Sequence, residues 1–309
     1  MKFFQIAAAL LAIPAALVSA TVPNSKRFDL TAPSHDLFRH KRLHNGPVQQ
    51  GFAFDNTNAR LFVAQRRDGA AENAGNLCIT QLDFKGNELG HMYLTGFGHG
   101  VSFGAQAVGK ATYLWVEVEA NANGYGAKLG RFKFVNGATL SKSSKDIKKF
   151  TPIKAANEHT CTIDTVNNRL VVRYNLKGQG KHIAVFDLAA ATKGDFTKPL
   201  ANFKQPLPTT KAKNFQGYTA YGRYLYLLWG DSYEQSKTLN SQVAAVDMNT
   251  GKVVQGPVMT SAGKTLSFRE PEGMAIYRTA AGQVRLFLGI GSGEAGDRRS
   301  NLFYKNVLV

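Results

Sequence analysis

The 309-residue chain sets 38 Lys and Arg against 21 Asp and Glu, a formal charge of +17. Its two cysteines are too few for a disulfide-stapled scaffold, and beyond residue 20 no apolar run is long enough to cross a bilayer. That balance favours polyanionic partners through long-range attraction.

Residues 1–20, "MKFFQIAAALLAIPAALVSA", read as a secretory signal. Lys2 is the positive start, an apolar stretch broken by Pro14 follows, and Val18-Ser19-Ala20 is a small-residue cleavage site. A secreted, extracellular domain over residues 21–309 is therefore expected. Lys26-Arg27 is either a dibasic processing site or an ordinary solvated pair. For an exported basic protein the expected partner is an acidic glycan or a phosphate-bearing wall polymer. Nucleic acid and membrane are not expected, and the chain is expected to be a monomer. Simple solubility in an acidic medium is the plainer reading of the charge.

Five self-similar stretches then follow in order. "QGFAFDNTNARLFVAQRR" starts at Gln50, "HGVSFGAQAVGKATYLWVEVEA" at His99 and "HTCTIDTVNNRLVVRYNL" at His159. "QGYTAYGRYLYLLWGD" starts at Gln216 and "EGMAIYRTAAGQVRLFLGIGS" at Glu272. Each opens with a polar and then a small residue, alternates as a strand, turns, and continues as a more apolar strand. The starts are 49, 60, 57 and 56 residues apart. "NLCITQLDF", "KLGRFKF", "KHIAVFDL", "SQVAAVDM" and "NLFYKNVLV" supply third strands, and "GHMYLTGF" and "GKVVQGPV" are visible outer strands. The pattern predicts an all-β, five-bladed β-propeller with blades starting near residues 48, 98, 157, 214 and 270. A sandwich or barrel leaves the five matched openings unaccounted for.

The fifth copy lacks an outer strand, and "SHDLFRHKRL" ahead of the first copy is strand-like and unassigned. Pairing of N- and C-terminal strands is thus predicted to close the ring and remove a sheet edge. Cys78 and Cys161 sit in apolar runs and are either bridged or two buried thiols. The basic spacers 141–154 and 208–214 read as solvated loops or as a rim for an anionic polymer.

The propeller reading gives the five openings a common place, around one axial funnel. Gln50, His99, His159, Gln216 and Glu272 are all polar, where a sealed core would want apolar groups. Aligning the second strands on their leucines places Ala64, Glu117, Arg173, Leu228 and Gly289 at one level, with Arg66 and Glu119 two residues further on. Tyr125, Tyr174, Trp229, Asp231 and Arg298 are expected at the same face. Arg66, Arg173 and Arg298 suit carboxylate or phosphate oxygens, and the aromatic rings suit sugar faces. His99 and His159 could exchange protons with a substrate, with Arg173 holding its anion. The plainer reading is a wet channel whose polar groups satisfy one another. No metal-ligand spacing, P-loop, dinucleotide fingerprint or nucleophile elbow is present, so neither metal nor cofactor is expected.

"RFDLTAPSHDLF", "GFGHGVSFG" and "RLVVRYNLKG" resemble the secreted TagC-like β-propellers, a family that takes its label from teichoic acid biosynthesis protein C. A related propeller forms the receptor-binding domain of certain staphylococcal phages. The resemblance spans nearly all of residues 27–309. It implies a five-bladed propeller and contact with teichoic-acid-like anionic polymers, and it carries no catalytic residues across. The expected function is binding of an anionic extracellular polymer, teichoic-acid-like or an acidic polysaccharide. The alternatives are an enzyme on the same polymers, either a polysaccharide lyase or a phosphodiesterase, and a scaffold for a protein partner.

Overall fold

The computed structural model describes residues 22–207 and 214–309; the expected secretory signal and most of the 208–214 spacer lie outside them. Strand β1 (His35–Arg42) precedes the repeats. The first blade holds β2 (Gln49–Asp55), β3 (Arg60–Arg66), β4 (Leu77–Leu82) and β5 (Glu88–Thr95). The second starts with β6 (Gly104–Val108), β7 (Ala111–Ala120) and β8 (Gly126–Lys133). Then β9 (Thr139–Ser141) pairs in parallel with β5, and β10 (Lys148–Phe150) forms the outer strand beside β8. The 141–154 spacer is thus partly strand. The third blade holds β11 (Ala156–Asp164), β12 (Arg169–Leu176), β13 (Gly180–Asp187), a short helix α1 (Leu188–Lys193) and β14 (Ala201–Lys204). The fourth holds β15 (Phe215–Tyr221), β16 (Tyr224–Trp229), α2 (Tyr233–Ser236), β17 (Gln242–Asp247) and β18 (Lys252–Met259). The fifth holds β19 (Glu270–Arg278), β20 (Val284–Ser292) and β21 (Arg299–Lys305), with β1 as its outer strand. The fold is the expected five-bladed propeller, and its ring is closed by antiparallel pairing of β1 with β21.

Each blade is too thin to bury both faces alone, so the core lies between blades. Five apolar clusters result, each filled from two adjacent sheets. Tyr226 and Leu228 of the fourth blade meet Met274 and Leu288 of the fifth, and Trp115 of the second meets Val172 of the third. Cys78 and Cys161 are free and buried, and burial pushes the Cys78 thiol up to about 12.

The D-x-x-N-x-R repeat of the first and third copies is an inter-blade clasp. Asp164 caps its own turn through Asn167 and accepts the Gly222 N–H at 2.8 Å, while Arg169 donates to the Gly222 carbonyl at 2.7 Å. Asp55 does the same work through Thr112 Oγ1 at 2.6 Å, and Asn58 reaches Gly109. Both clasps seize the first hairpin turn of the next blade.

Closure extends beyond β1. Arg27 and Val309 exchange backbone hydrogen bonds at 2.9 and 3.0 Å, and the Phe28 N–H donates to the Tyr226 hydroxyl. Phe28, Leu30, Phe38 and Leu43 are buried. At about 1.5–3 kcal/mol per large apolar side chain, losing these four removes roughly 6–12 kcal/mol, comparable to the whole stability of a domain. A chain beginning at Gly46 is therefore expected to show no cooperative unfolding transition by circular dichroism. A sharp thermal transition from that chain would contradict closure by the N-terminal segment.

Candidate functional site

Near the axis the innermost strands crowd backbone to backbone. A methyl added to Gly217 would come within 2.8 Å of Gly273 Cα, and one added to Gly51 within 2.6 Å of the Gly100 carbonyl oxygen. Only glycine fits such an approach. Around these residues, where the inner strands begin, opens a cavity of about 680 Å³. Gln50, Arg66, His99, Tyr125, Arg173, Gln216 and Glu272, all expected at the funnel, line it together. Glu72, Glu158, Lys181, Phe215 and Glu270 line it as well.

The other expected residues are placed elsewhere. His159 is fully buried, with its Nδ1 2.8 Å from the Ala127 carbonyl oxygen, and it does not line the cavity. The reason is register. In the first and fourth blades the ladder skips a residue at Gln50 and Gln216, and such a bulge re-aims the side chain. In the third blade the skip falls two residues earlier, at Asn157, and His159 pairs regularly with Tyr174. Its ring therefore takes the strand's ordinary alternation and turns toward β8. The two imidazoles do not share the cavity. Glu119 is held by Lys128 at 2.9 Å and Lys149 at 2.7 Å. Tyr174 donates to Asn202 at 2.7 Å and stacks on His182. Trp229 is buried against Phe215 in the core between the third and fourth blades. Asp231 accepts the Asn214 N–H, and Arg298 lies over Phe268 and pairs with Glu234.

Within the cavity the second and third blades supply a cationic, aromatic wall. Arg173 projects from β12 with its guanidinium 3.8 Å from the Phe215 ring centre, and its Nε donates to Gln205 at 2.6 Å. It is 8% exposed. Among the described residues it forms no ion pair, and its terminal nitrogens have no hydrogen-bond partner. Burial lowers its pKa, yet a guanidinium starts so far above neutrality that it stays charged. Glu158 pairs directly with Lys181 and reaches Arg173 only through longer-range attraction, as does Glu117.

His99 and Tyr125 stack at 5.3 Å and 21°. Burial lowers the His99 pKa, so the ring is neutral near pH 7, and burial raises that of Tyr125. Glu117 lies beneath them, fully buried at the end of β7. Its carboxylate accepts the Gly100 N–H at 2.8 Å and the Gly126 N–H at 2.6 Å, tying the loops that carry the two rings. A side chain at Gly98 would run into that carboxylate, so the Gly-His-Gly spacing is what lets the His99 loop wrap it. Desolvation pushes Glu117 up to about 7, against the pull of the backbone N–H groups.

Across the cavity, Glu270 and Glu272 project from β19 close enough for each carboxyl to perturb the other. Burial, and then the like charge of Glu270, holds Glu272 well above the carboxylate range. Burial raises Glu270 too, opposed by its neighbour Glu272. Two adjacent carboxyls in this position titrate as a pair. The funnel is therefore mixed in charge rather than uniformly basic. Glu272 was expected at the funnel as the opening of the fifth repeat; Glu270 was not, and the ladder irregularity between Pro271 and Met274 makes simple strand alternation no guide to it.

The architecture is a five-bladed propeller with an open, polar, partly cationic funnel at the start of its inner strands. The chain belongs to the family described as "Phage 5-bladed beta propeller receptor binding platform domain", whose model matches residues 48–304. It is 29% identical over 300 residues to the Bacillus subtilis (strain 168) protein named "Putative major teichoic acid biosynthesis protein C". That match covers 91% of this chain and 65% of the relative, so the chain spans just under two thirds of it. Among solved structures it is similar to the tail fiber of Staphylococcus aureus phage P68, with a TM-score of 0.72 and 20% identity. That likeness covers 90% of this chain and 54% of the tail fiber, and it bears on the fold alone. Among the described residues no helix is long and apolar enough to cross a membrane.

Proposed function

We propose that the chain is a secreted recognition protein that seats an anionic glycopolymer, of the teichoic-acid or acidic-polysaccharide class, in its funnel. Arg173 carries the reading. A buried guanidinium without a carboxylate partner, facing a cavity, is costly unless an external anion completes it. The His99–Tyr125 stack and Phe215 offer faces for a polyol or sugar ring. Glu72, Glu158 and Glu270 accept from ligand hydroxyls, which a charge-mixed wall permits and a purely basic one does not. The family and the name of the Bacillus subtilis relative support a cell-surface polymer as the ligand. Purified poly(glycerol phosphate) and poly(ribitol phosphate) teichoic acids, pectate and neutral dextran, immobilised for interferometry, test it. Binding to one or more acidic polymers and not to dextran is expected, weakening as salt rises from 20 to 500 mM (roughly a Debye length of 20 Å falling to 4 Å). Equal binding to dextran, or none to any acidic polymer at low salt, would refute it.

A second reading, cleavage of the same polymers, has one observation in its favour. Both Glu272 and His99 line the cavity, and burial holds the Glu272 carboxyl above and the His99 imidazole below its ordinary range, which suits the pair to acid and base roles. Unsaturated-product absorbance and released phosphate, followed over a day on each polymer, separate it from binding alone.

A further inference from the structure

On the flank of the first blade, three donor side chains converge that do not line the funnel. His44 lies in the segment between β1 and β2, and Glu88 and His91 lie on β5. His44 Nδ1 is 2.8 Å and His91 Nδ1 3.5 Å from the same oxygen, Glu88 Oε1. Donor atoms of all three lie within 4.8 Å of one another. We propose that His44, Glu88 and His91 form a binding site for a zinc-class transition-metal dication, which fastens the ring-closing segment to the first blade.

The donor set decides the class of ion. Two imidazoles and one carboxylate suit zinc and its neighbours, whereas magnesium and calcium take oxygen ligands. Zinc bonds of about 2.0–2.1 Å in a tetrahedron put donors roughly 3.3 Å apart, close to the separations present. The two rings now stack at 3.4 Å with 13° between their planes, so their lone pairs run side by side. They must turn apart to converge on one ion. Their side chains are 28% and 26% exposed, so that turn meets solvent rather than core.

The backbones beneath are held. The His44 N–H donates to Thr80 Oγ1 at 3.3 Å, and the His91 N–H donates to Asn136 Oδ1 at 2.9 Å. Tyr93 closes one side, with its ring 5.9 and 5.3 Å from the two imidazoles. The nearby cation, Arg67, is engaged over the Tyr93 ring. His44 and Glu88 are 44 positions apart, so no spacing motif marks the site. An ion here would link the exit of β1, the outer strand of the fifth blade, to β5 of the first.

Isothermal titration of the untagged, full chain with Zn²⁺ tests this, with Mg²⁺ as control. One Zn²⁺ per chain and no Mg²⁺ binding are expected, and the thermal midpoint should rise with zinc concentration. His44→Ala and His91→Ala should each weaken zinc binding at least tenfold and abolish the thermal shift. Glu88→Gln keeps the side chain's shape and should weaken it as well. All three residues are partly exposed, so folded variants are expected, and circular dichroism checks this. No zinc binding by the parent chain, or binding unchanged in His44→Ala and His91→Ala, overturns the proposal.

Discussion

Arg173→Ala should weaken binding of an acidic polymer by roughly 2–4 kcal/mol, about 30- to 700-fold, while leaving the fold intact. The two halves of that expectation have one cause. In the free protein the Arg173 guanidinium is buried without a directly paired carboxylate, held only by Gln205 and the Phe215 ring. Removing it relieves a buried charge that Glu158 and Glu117 offset only at longer range, and forfeits one hydrogen bond and one stacking contact. Thermal stability should then move by no more than about 1 kcal/mol in either direction. In the complex the same group meets the ligand anion in a desolvated setting, so its loss is felt in full. Arg173→Lys keeps the charge but loses the planar stack and the Nε donor, and should fall between the two. Binding of any neutral ligand should change by less than threefold. Unchanged affinity of Arg173→Ala for acidic polymers would remove the anchor from the proposed function.

What the sequence disclosed and what it hid have separate physical origins. Blade number, strand order and ring closure follow from period-two alternation and a near-constant repeat, both local properties of the chain. Arg173 was legible because alignment on second-strand leucines set it level with Ala64, Glu117, Leu228 and Gly289, the one cation at that level. Glu158 was hidden by a bulge. In the first and fourth blades the skipped residue is the glutamine that opens the strand, and in the third it is Asn157, so the cavity receives Glu158 and not His159. No composition or periodicity signal reveals a bulge's position in one copy of a repeat. Lys181 was missed for another reason: it lies at the start of a third strand, and of the residues between second and third strands only those of the second, fourth and fifth blades, such as Tyr125, Asp231 and Arg298, were expected at the funnel. Tyr174 and Trp229 each follow a residue of the aligned level by one position, so strand alternation turns their rings to the opposite sheet face, where inter-blade packing takes them.

Glu117→Gln should flatten the pH dependence of stability between about pH 5 and 8, and Glu117→Ala should cost about 3–5 kcal/mol. Glu117 stands near 4.5 in an unfolded chain and is pushed up to about 7 in the fold, chiefly by burial. Across that window the native state holds a proton that the unfolded state has released, so stability falls as pH rises. The full stabilisation is present below about 4.5 and is lost through about 7, a difference of roughly 3 kcal/mol. Glu272, also raised, acts in the same direction. His99 and His159 act in the opposite one, because burial lowers them and the unfolded chain takes up protons first as pH drops. The raw profile therefore mixes signs, and the difference between the parent chain and Glu117→Gln isolates the one group. The glutamine cannot ionise, so its own profile should lack this slope; its amide nitrogen cannot accept the second backbone N–H, so it should lie below the parent near pH 5 and close that gap by pH 8. Alanine is the harsher change. It leaves the Gly100 and Gly126 N–H groups unpaired beside a void, and it frees the two loops that hold His99 against Tyr125. Loss of polymer binding should accompany that release even under conditions where the variant remains folded. Denaturant titrations at pH 5, 6, 7 and 8 on the three proteins decide the matter, and a slope that persists undiminished in Glu117→Gln would assign it to other groups.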